Sequence, residues 1–214
     1  MRILCFLFVY LACLTAVFAQ ESENKTGASG ASIGIVVDCS GSQRLQLEKI
    51  ISAIKQIGEA MRPGDQAFVL RFIDAQKIAV TQDFTSQKNE LQDAADELFI
   101  EGGQPAVIDA VDFAARHFSD GAARGESRSR FLVLFTDGED RKGPAIDGTL
   151  TLLRQEKIRV FAIGLSDLTV SAKLLDKFSK ETGGKTFLPR GTAQVSNAVI
   201  EIISAIRGEQ ATKK

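Results

Sequence analysis

The chain has 214 residues, of which 44% are apolar and 25% are charged, and its formal net charge is −1. The charges are spread along the whole sequence rather than gathered into basic runs. The composition therefore excludes a protein that binds nucleic acid through a basic surface.

The first 19 residues have the pattern of a secretory signal peptide. One positive residue, Arg2, precedes an apolar stretch at residues 3–18, and the small residues Ala16 and Ala19 suit cleavage after Ala19. An uncleaved membrane anchor is the alternative, but the stretch is shorter than the roughly 20 residues that a membrane-spanning helix needs. We predict export to the periplasm or the extracellular space, with no membrane span left after cleavage.

Cleavage also removes Cys5 and Cys13, so Cys39 is the only cysteine of the mature chain. A lone cysteine forms no internal disulfide, and with a single histidine neither a zinc cluster nor a Ser–His–Asp triad is expected. That histidine, His117, is expected to face solvent or to end a helix. The fold must therefore depend on its apolar core, for which about 195 residues are sufficient in one domain.

One domain is predicted between two short flanking segments. Residues 20–32 are polar and contain Gly and Ser, which is typical of a flexible lead-in. Residues 33–207 alternate short apolar runs with helix-period segments and form the predicted domain. Residues 208–214 are predicted to be a frayed tail.

Five stretches of the sequence are predicted to be strands. Residues 33–37, 131–135 and 160–163 are almost continuously apolar, which is typical of parallel strands buried on both faces. Residues 68–73 form a fourth strand, and residues 77–84 follow closely enough to pair with it as a hairpin.

Amphipathic segments separate these strands and carry apolar side chains at the spacing of one helix face. They are residues 47–61, 91–98, 107–118, 150–153, 174–178 and 195–206. Strands that alternate with helices predict a doubly wound α/β fold. We expect a mostly parallel central sheet with one antiparallel edge strand and helices on both faces.

Acidic residues follow two of the predicted strands at the point where each strand ends. The first strand is followed by Asp38, Ser40 and Ser42, and a central strand by Asp137 within the sequence Thr-Asp-Gly. Ligands of open α/β sheets bind at the carboxyl ends of parallel strands, and Mg²⁺ takes oxygen ligands of these kinds. The four side chains are therefore candidate metal ligands. Taken separately, a serine here is also a helix cap and Asp-Gly an ordinary turn.

These motifs resemble the metal-ion-dependent adhesion site of von Willebrand factor type A domains. That family has Asp-x-Ser-x-Ser after the first strand and Thr-Asp-Gly after a later one. The resemblance covers residues 33–207 and includes residues 63–65 (Pro-Gly-Asp), 102–103 (Gly-Gly) and 183–185 (Gly-Gly-Lys), each at its expected element boundary. The sequence is similar to secreted bacterial members of the family, and the resemblance implies their Rossmann-like fold.

The resemblance also implies a secreted adhesion or binding module without enzymatic activity. Asp38, Ser40, Ser42 and Asp137 would hold Mg²⁺ or Mn²⁺, and a partner protein would offer an acidic residue to the metal. Cys39 would be a small residue at the rim of the metal loop, within reach of thiol reagents. In the same loop, the glycine between the serines would allow a tight turn.

One ligand position departs from the family's pattern. The family has Gly-Gly-Thr before a helix, with the threonine hydroxyl as a ligand. Alignment on the glycines places Gln104 there, whereas counting back from Asp109 places Pro105 there, and proline offers no side-chain oxygen. Weakened metal affinity is expected. Two other functions stay open: a structural or assembly protein with a degenerate, non-metal-binding site, and a metal-dependent hydrolase, which the lack of an adjacent nucleophile or base disfavours.

Overall fold

A computed structural model of the chain describes residues 30–120, 128–140 and 145–212. The predicted signal peptide, residues 20–29 of the predicted lead-in and the last two residues of the predicted tail lie outside the described residues. Among the helices that are described, none combines the length and the apolar character needed to cross a membrane.

In the described chain, six strands form one sheet, in which neighbouring strands are parallel except for one antiparallel pair at an edge. They are β1 (Ala31–Asp38), β2 (Gln66–Phe72), β3 (Ile78–Thr85), β4 (Ser129–Thr136), β5 (Ile158–Gly164) and β6 (Lys185–Phe187). The spatial order is β3-β2-β1-β4-β5-β6, and β3 is the antiparallel edge strand. The predicted fold class is confirmed.

Six α-helices lie between or after the strands of the described residues. They are α1 (Leu47–Glu59), α2 (Lys88–Asp96), α3 (Val107–Asp120), α4 (Ile146–Gln155), α5 (Ala172–Thr182) and α6 (Thr192–Thr212). Each overlaps a predicted amphipathic segment, and most begin earlier or end later than the apolar positions that marked them. The regular structure extends past both predicted ends of the domain, because β1 begins at Ala31 and α6 continues to Thr212.

The sheet separates two apolar cores. One core contains side chains of α1, α2 and α6, together with Ile35 and Val37 of β1. The other contains side chains of α3, α4 and α5, together with Val36 of the same strand. Every residue of β1 is buried because successive side chains enter opposite cores, which explains why the strand sequence is almost continuously apolar.

The order in which strands are added to the sheet reverses between β1 and β4. It passes from β1 outward through β2 to β3, then returns to β4 on the other side of β1 and continues to β6. The helix after β1 packs into one core, and the helix after β4 packs into the other. Loops that diverge in this way leave a crevice at the carboxyl ends of the two strands, where ligands of doubly wound sheets bind.

Candidate functional site

The predicted site residues lie at this crevice. β1 and β4 are hydrogen-bonded neighbours, with Val37 opposite Phe135, so the strands end side by side at Asp38 and Thr136. Asp137 follows directly, and a 3₁₀-helix at Gly41–Gln43 follows β1. The topology therefore brings the two predicted aspartates and two predicted serines to one edge of the sheet.

Asp38 is fully buried, and both of its carboxylate oxygens accept hydrogen bonds. Oδ1 accepts the backbone N–H of Ser40 at 2.9 Å, and Oδ2 accepts the hydroxyl of Thr136 at 2.7 Å. Burial raises the pKa of Asp38 to about 6; the hydrogen bonds oppose this rise, and the negative charge of Asp137 adds to it. The carboxylate is thus held in a fixed orientation in surroundings that would favour a nearby positive charge.

Thr136 connects the two strand ends and was missed among the predicted site residues. Its hydroxyl donates to Asp38 and accepts the N–H of Gly138 at 3.1 Å. The side chain is fully buried and cannot bond to water, so these two partners supply the hydrogen bonds that its hydroxyl needs. The signal in the sequence is the Thr-Asp-Gly motif itself, whose threonine faces the aspartate of the neighbouring strand.

The two serines face each other across the loop after β1. Their hydroxyl oxygens are 3.2 Å apart; Ser40 is buried and Ser42 is exposed. Ser40 occupies the N-cap position of the 3₁₀-helix, but its side chain makes no capping hydrogen bond, and the N-cap of α1 is Gln46. Helix capping therefore does not account for the serine side chains.

Asp137 has a partly structural role. Its Oδ1 accepts the N–H of Glu139 at 2.9 Å, as in an Asx turn, and its backbone carbonyl accepts the N–H of Ser171 at 2.7 Å. The side chain is buried. The turn interpretation of Asp-Gly therefore holds for Oδ1 and for the backbone, while the position of Asp137 beside Asp38 keeps it a candidate ligand.

A small pocket opens above the serines, with a volume of about 210 Å³. It is lined by Ser40, Gly41, Ser42, Gly103, Gln104, Pro105 and Glu139. The structure brings both candidates for the missing threonine to the serines, so either is placed to affect a bound ion. Asp140, in the loop after β4, connects that loop to the start of α3. Its Oδ1 accepts the N–H of Ile108, in the first turn of α3, at 3.3 Å.

The donor set fits a hard divalent cation. Among the described residues, no three Asp, Glu, His or Cys side chains converge on a common metal position. A cation at this edge would therefore depend on serine hydroxyls as well as on the two carboxylates. Such an all-oxygen set, with two charges, suits Mg²⁺ or Mn²⁺ better than a metal that prefers sulfur or imidazole.

The accessible position predicted for Cys39 is wrong. Its side chain is fully buried in the same core as Ile35 and Val37, because the alternation of β1 continues one residue past Asp38. The backbone also extends the strand, since the N–H of Cys39 donates to the carbonyl of Phe72 at 2.8 Å. The chain does turn tightly at Gly41, which begins the 3₁₀-helix, and the N–H of Gln43 donates to the carbonyl of Ser40 at 3.0 Å. The turn does not require glycine, because Gly41 has no positive φ and the space around it is open.

Cys39 is expected to resist thiol reagents in the folded protein. Burial raises the pKa of its thiol to about 12, and the negative charge of Asp38 adds to the rise, so the reactive thiolate is scarce. A maleimide assay should show no labelling of the native mature chain and complete labelling in denaturant. Rapid native labelling, with or without Mg²⁺, would contradict the buried position.

His117 is remote from the crevice. It lies in the last turn of α3, as one of the two predicted roles requires, but its ring is packed rather than solvated. The ring stacks on Phe84 with centroids 5.3 Å apart, and Nε2 lies 2.9 Å from Oδ1 of Asp83. The histidine thus joins the edge strand β3 to α3.

The comparison with known sequence families identifies one family. The sequence model of the von Willebrand factor type A domain matches residues 32–200 of this chain. Among curated proteins, none matches the sequence significantly.

Solved structures share the fold at low sequence identity. A von Willebrand factor type A protein from Catenulispora acidiphila gives a TM-score of 0.72 and 19% identity, over 83% of this chain and 43% of that one. An aerotolerance-related membrane protein from Bacteroides fragilis gives a TM-score of 0.66 and 20% identity, over 82% of this chain and 100% of that one. Proximal thread matrix protein 1 of the mussel byssus gives a TM-score of 0.65 and 22% identity, over 84% of this chain and 47% of that one. At these identities the likeness shows the fold alone.

Proposed function

The chain belongs to the von Willebrand factor type A family, whose domains generally act in adhesion or protein interaction, and we propose that it binds a partner protein through a divalent cation. The observation that carries this proposal is the meeting of two buried carboxylates and two facing serine hydroxyls at one crevice. The carboxylates are Asp38 and Asp137, and the hydroxyls are those of Ser40 and Ser42.

Each side chain has a definite part in the proposed site. The serine hydroxyls and the two aspartates would hold Mg²⁺ or Mn²⁺, whose contribution is to accept an oxygen ligand from outside the domain. Because the hydroxyls are neutral, only two of the four proposed ligands carry a negative charge, and the dication keeps its attraction for a carboxylate from a partner. Ser40 and Thr136 hold Asp38 in place, so little ordering is needed when the ion binds.

We also propose that the module is exported and non-catalytic. Residues 1–19 favour export, for the reasons given by their composition. Against catalysis, both aspartates already accept hydrogen bonds from the fold, and His117 pairs with Asp83 of the edge strand. A hydrolase would need a base or a nucleophile beside Asp38 and Asp137.

A second candidate is a structural or assembly protein that has kept the fold and lost the metal. The lining of the pocket favours it, because the loop that supplies a threonine in the family supplies Gln104 and Pro105 here. The two candidates differ in one measurable property, which is the affinity of the serine site for a cation.

Isothermal titration of the protein with Mg²⁺ and Mn²⁺ is expected to show one saturable site. Asp38→Asn removes a ligand charge with little change of shape and should abolish the binding heat, whereas Ser42→Ala should weaken binding roughly 10- to 100-fold. Asp176→Asn is the matched control: it removes an exposed carboxylate that pairs with Lys180 on α5, and it should leave the titration unchanged.

The same titration separates the two candidates. Restoring a hydroxyl with Pro105→Thr or Gln104→Thr should tighten Mg²⁺ binding if the proposed site is active. Thermal midpoints of each variant report whether the start of α3 survives the loss of proline. A wild-type protein that binds neither metal, while folding normally, favours the structural candidate and contradicts the proposal.

A further inference from the structure

A second pocket, larger and more apolar, lies on the other side of the loop after β4 from the serine hydroxyls. Its volume is about 420 Å³, within the roughly 300–1,000 Å³ of pockets that hold ligands. Ile108, Ile146 and Leu174 line it, from the first turns of α3, α4 and α5. All three side chains belong to or pack against the core on this face of the sheet. We call this opening of the core the apolar pocket.

The apolar pocket shares a wall with the pocket above the serines. Glu139 lines the serine pocket, whereas its neighbours Gly138 and Asp140 line the apolar pocket. On the side of α3, Pro105 lines the serine pocket and Ile108 lines the apolar pocket. The hydrogen bond from the N–H of Ile108 to Oδ1 of Asp140 joins the two parts of this wall. The two pockets therefore lie side by side at the carboxyl edge of the sheet.

The backbone of Ser171 fixes the apolar pocket relative to the candidate metal site. Its N–H donates to the carbonyl of Asp137 at 2.7 Å, and its carbonyl oxygen lies 2.4 Å from where a Cβ on Gly138 would be. The side chain of Ser171 lines the pocket but is exposed, and it makes no capping hydrogen bond although Ser171 is the N-cap residue of α5. A larger side chain at this position would therefore enter the pocket without breaking a hydrogen bond.

The charges at the rim favour an uncharged occupant. Nζ of Lys177 lies 3.2 Å from Oδ1 of Asp147, and Asp140 is held by the N–H of Ile108. Lys173 is exposed and makes no hydrogen bond or ion pair within the part of the chain that the structure describes. A charged side chain that entered the pocket would lose water against an apolar lining, which is costly.

The serine pocket has the opposite character. The carboxylates of Asp38, Asp137 and Glu139 lie at it or directly beneath it. Like charges repel, so a partner carboxylate gains nothing there until a cation is bound that it can coordinate directly. The two neighbouring pockets therefore suit two different side chains, one acidic and dependent on metal, the other apolar.

Both ends of the described chain lie at the opposite edge of the sheet. The N–H of Ala31, at the start of β1, and the guanidinium of Arg207, near the end of α6, both donate to Asp65, at 2.8 and 2.7 Å. Asp65 directly precedes β2, so these contacts are at the amino-terminal edge. This placement favours an occupant that comes from another protein.

We propose that the apolar pocket receives an uncharged apolar side chain of the same partner protein that offers a carboxylate to the metal. The partner segment would carry Leu, Ile, Met or Phe within a few residues of Asp or Glu, and the two side chains would enter the pockets on either side of residues 138–140. This inference rests on the proposed function, because the metal fixes the carboxylate. The apolar pocket then selects among acidic partners, since a carboxylate alone gives little discrimination.

The test begins with a random peptide library displayed on phage and selected on the purified protein in Mg²⁺. Enriched peptides are expected to carry Asp or Glu close to Leu, Ile, Met or Phe, and to be released by chelator. In a synthetic copy of one such peptide, alanine in place of the acidic residue or of the apolar residue should each weaken binding by about tenfold or more.

Variants of the protein then locate the apolar residue. Ser171→Phe should weaken peptide binding by about tenfold or more, because the added ring fills the apolar pocket. On this variant, alanine in place of the peptide's apolar residue should cause no further loss, since the contact is already blocked. Leu174→Ser removes part of the apolar lining and should also weaken binding. Ser204→Phe is the matched control, because it adds the same ring at an exposed position of α6, and it should leave affinity unchanged. Thermal midpoints report whether each variant folds.

The outcomes separate this inference from the proposed function. Chelator-sensitive peptides that bind Ser171→Phe and Leu174→Ser as tightly as the wild type would overturn the apolar pocket and leave the metal site standing. Peptides that need the apolar pocket but ignore chelator would overturn the metal-dependent function and, with it, the combined surface. No enrichment would overturn the inference, and the metal titration then decides the proposed function separately. A dimer that dissociates in Ser171→Phe would identify a second copy as the occupant and would also overturn the inference.

Discussion

Replacing Arg207 with alanine is expected to lower the free energy of unfolding by about 3 kcal/mol, the cost typical of removing one partner from a buried ion pair. Nη1 of Arg207, on α6, donates to Oδ2 of Asp65 at 2.7 Å, and the side chain of Asp65 is 1% exposed. The substitution leaves a buried carboxylate without its cation. Urea unfolding followed by circular dichroism measures the loss.

The expected loss of stability is large because the Asp65 carboxylate bonds to several segments of the chain. Oδ1 of Asp65 accepts the N–H of Ala31 at the start of β1, and Oδ2 accepts the N–H of Arg62 in the turn before β2, both at 2.8 Å. Arg207 also donates through Nη2 to the carbonyl of Ala60 at the end of α1. One ion pair thus fastens α6 to the amino-terminal edge of the sheet, opposite the candidate site.

The variant is also expected to unfold at a higher pH during acid titration. Burial opposes the ionisation of Asp65, but the N–H groups of Arg62 and Ala31 and the Arg207 guanidinium outweigh it and lower the pKa. A lowered pKa in the folded state contributes stability above the unfolded value of about 4, and this stability is lost as the pH falls through the folded pKa. Without Arg207 the folded pKa of Asp65 moves back toward the unfolded value, so the carboxylate contributes less stability above about pH 4. The variant therefore has less stability to lose and reaches its acid-unfolding midpoint at a higher pH.

Lys55→Ala serves as the control for the loss of a cation. Lys55 pairs with Asp96 at 2.7 Å, but the two side chains are 38% and 57% exposed, so removal should change stability by less than about 1 kcal/mol. If Arg207→Ala and Lys55→Ala have equal effects, or if the acid transition does not move, Asp65 does not depend on its buried partner.

The architecture could be predicted because its signals are local. Parallel strands buried on both faces give continuous apolar runs, and helices with one buried face give a regular apolar spacing, as at residues 33–37 and 47–61. The grouping of Asp38 and Asp137 could also be predicted. It needs only that both follow parallel strands of the same sheet.

The details of the site depend on contacts that are distant in sequence. The Thr-Asp-Gly motif marks Thr136, but its hydroxyl meets Asp38 only because β1 and β4 are neighbours in register, and no local pattern gives that register. Gln43 and Gln46 belong to a loop in which polar residues would be expected to face water. They are buried because that loop meets the loop after β5. Cys39 was misplaced because the strand's alternation continues one residue into the motif.

Gly138→Ala is expected to cost about 3 kcal/mol or more and to remove metal binding. Gly138 has a φ of +78°, a conformation that costs other residues about 1–2 kcal/mol. An added Cβ would lie 2.4 Å from the carbonyl oxygen of Ser171, a backbone atom that cannot rotate away. The backbone must therefore shift, and the N–H of Gly138 and the carbonyl of Asp137 would lose their bonds to Thr136 and Ser171.

Glycine to alanine at Gly148 is expected to raise the free energy of unfolding instead of lowering it, and serves as the control. Gly148 lies within α4, and a Cβ added there meets no atom within 4 Å, so alanine should raise stability by up to about 1 kcal/mol through its helix propensity. Urea unfolding and Mn²⁺ titration of both variants provide the test. A Gly138→Ala protein of wild-type stability that still binds Mn²⁺ would mean that the loop after β4 can move without displacing Asp137, and that the rigid site inferred from these contacts is wrong.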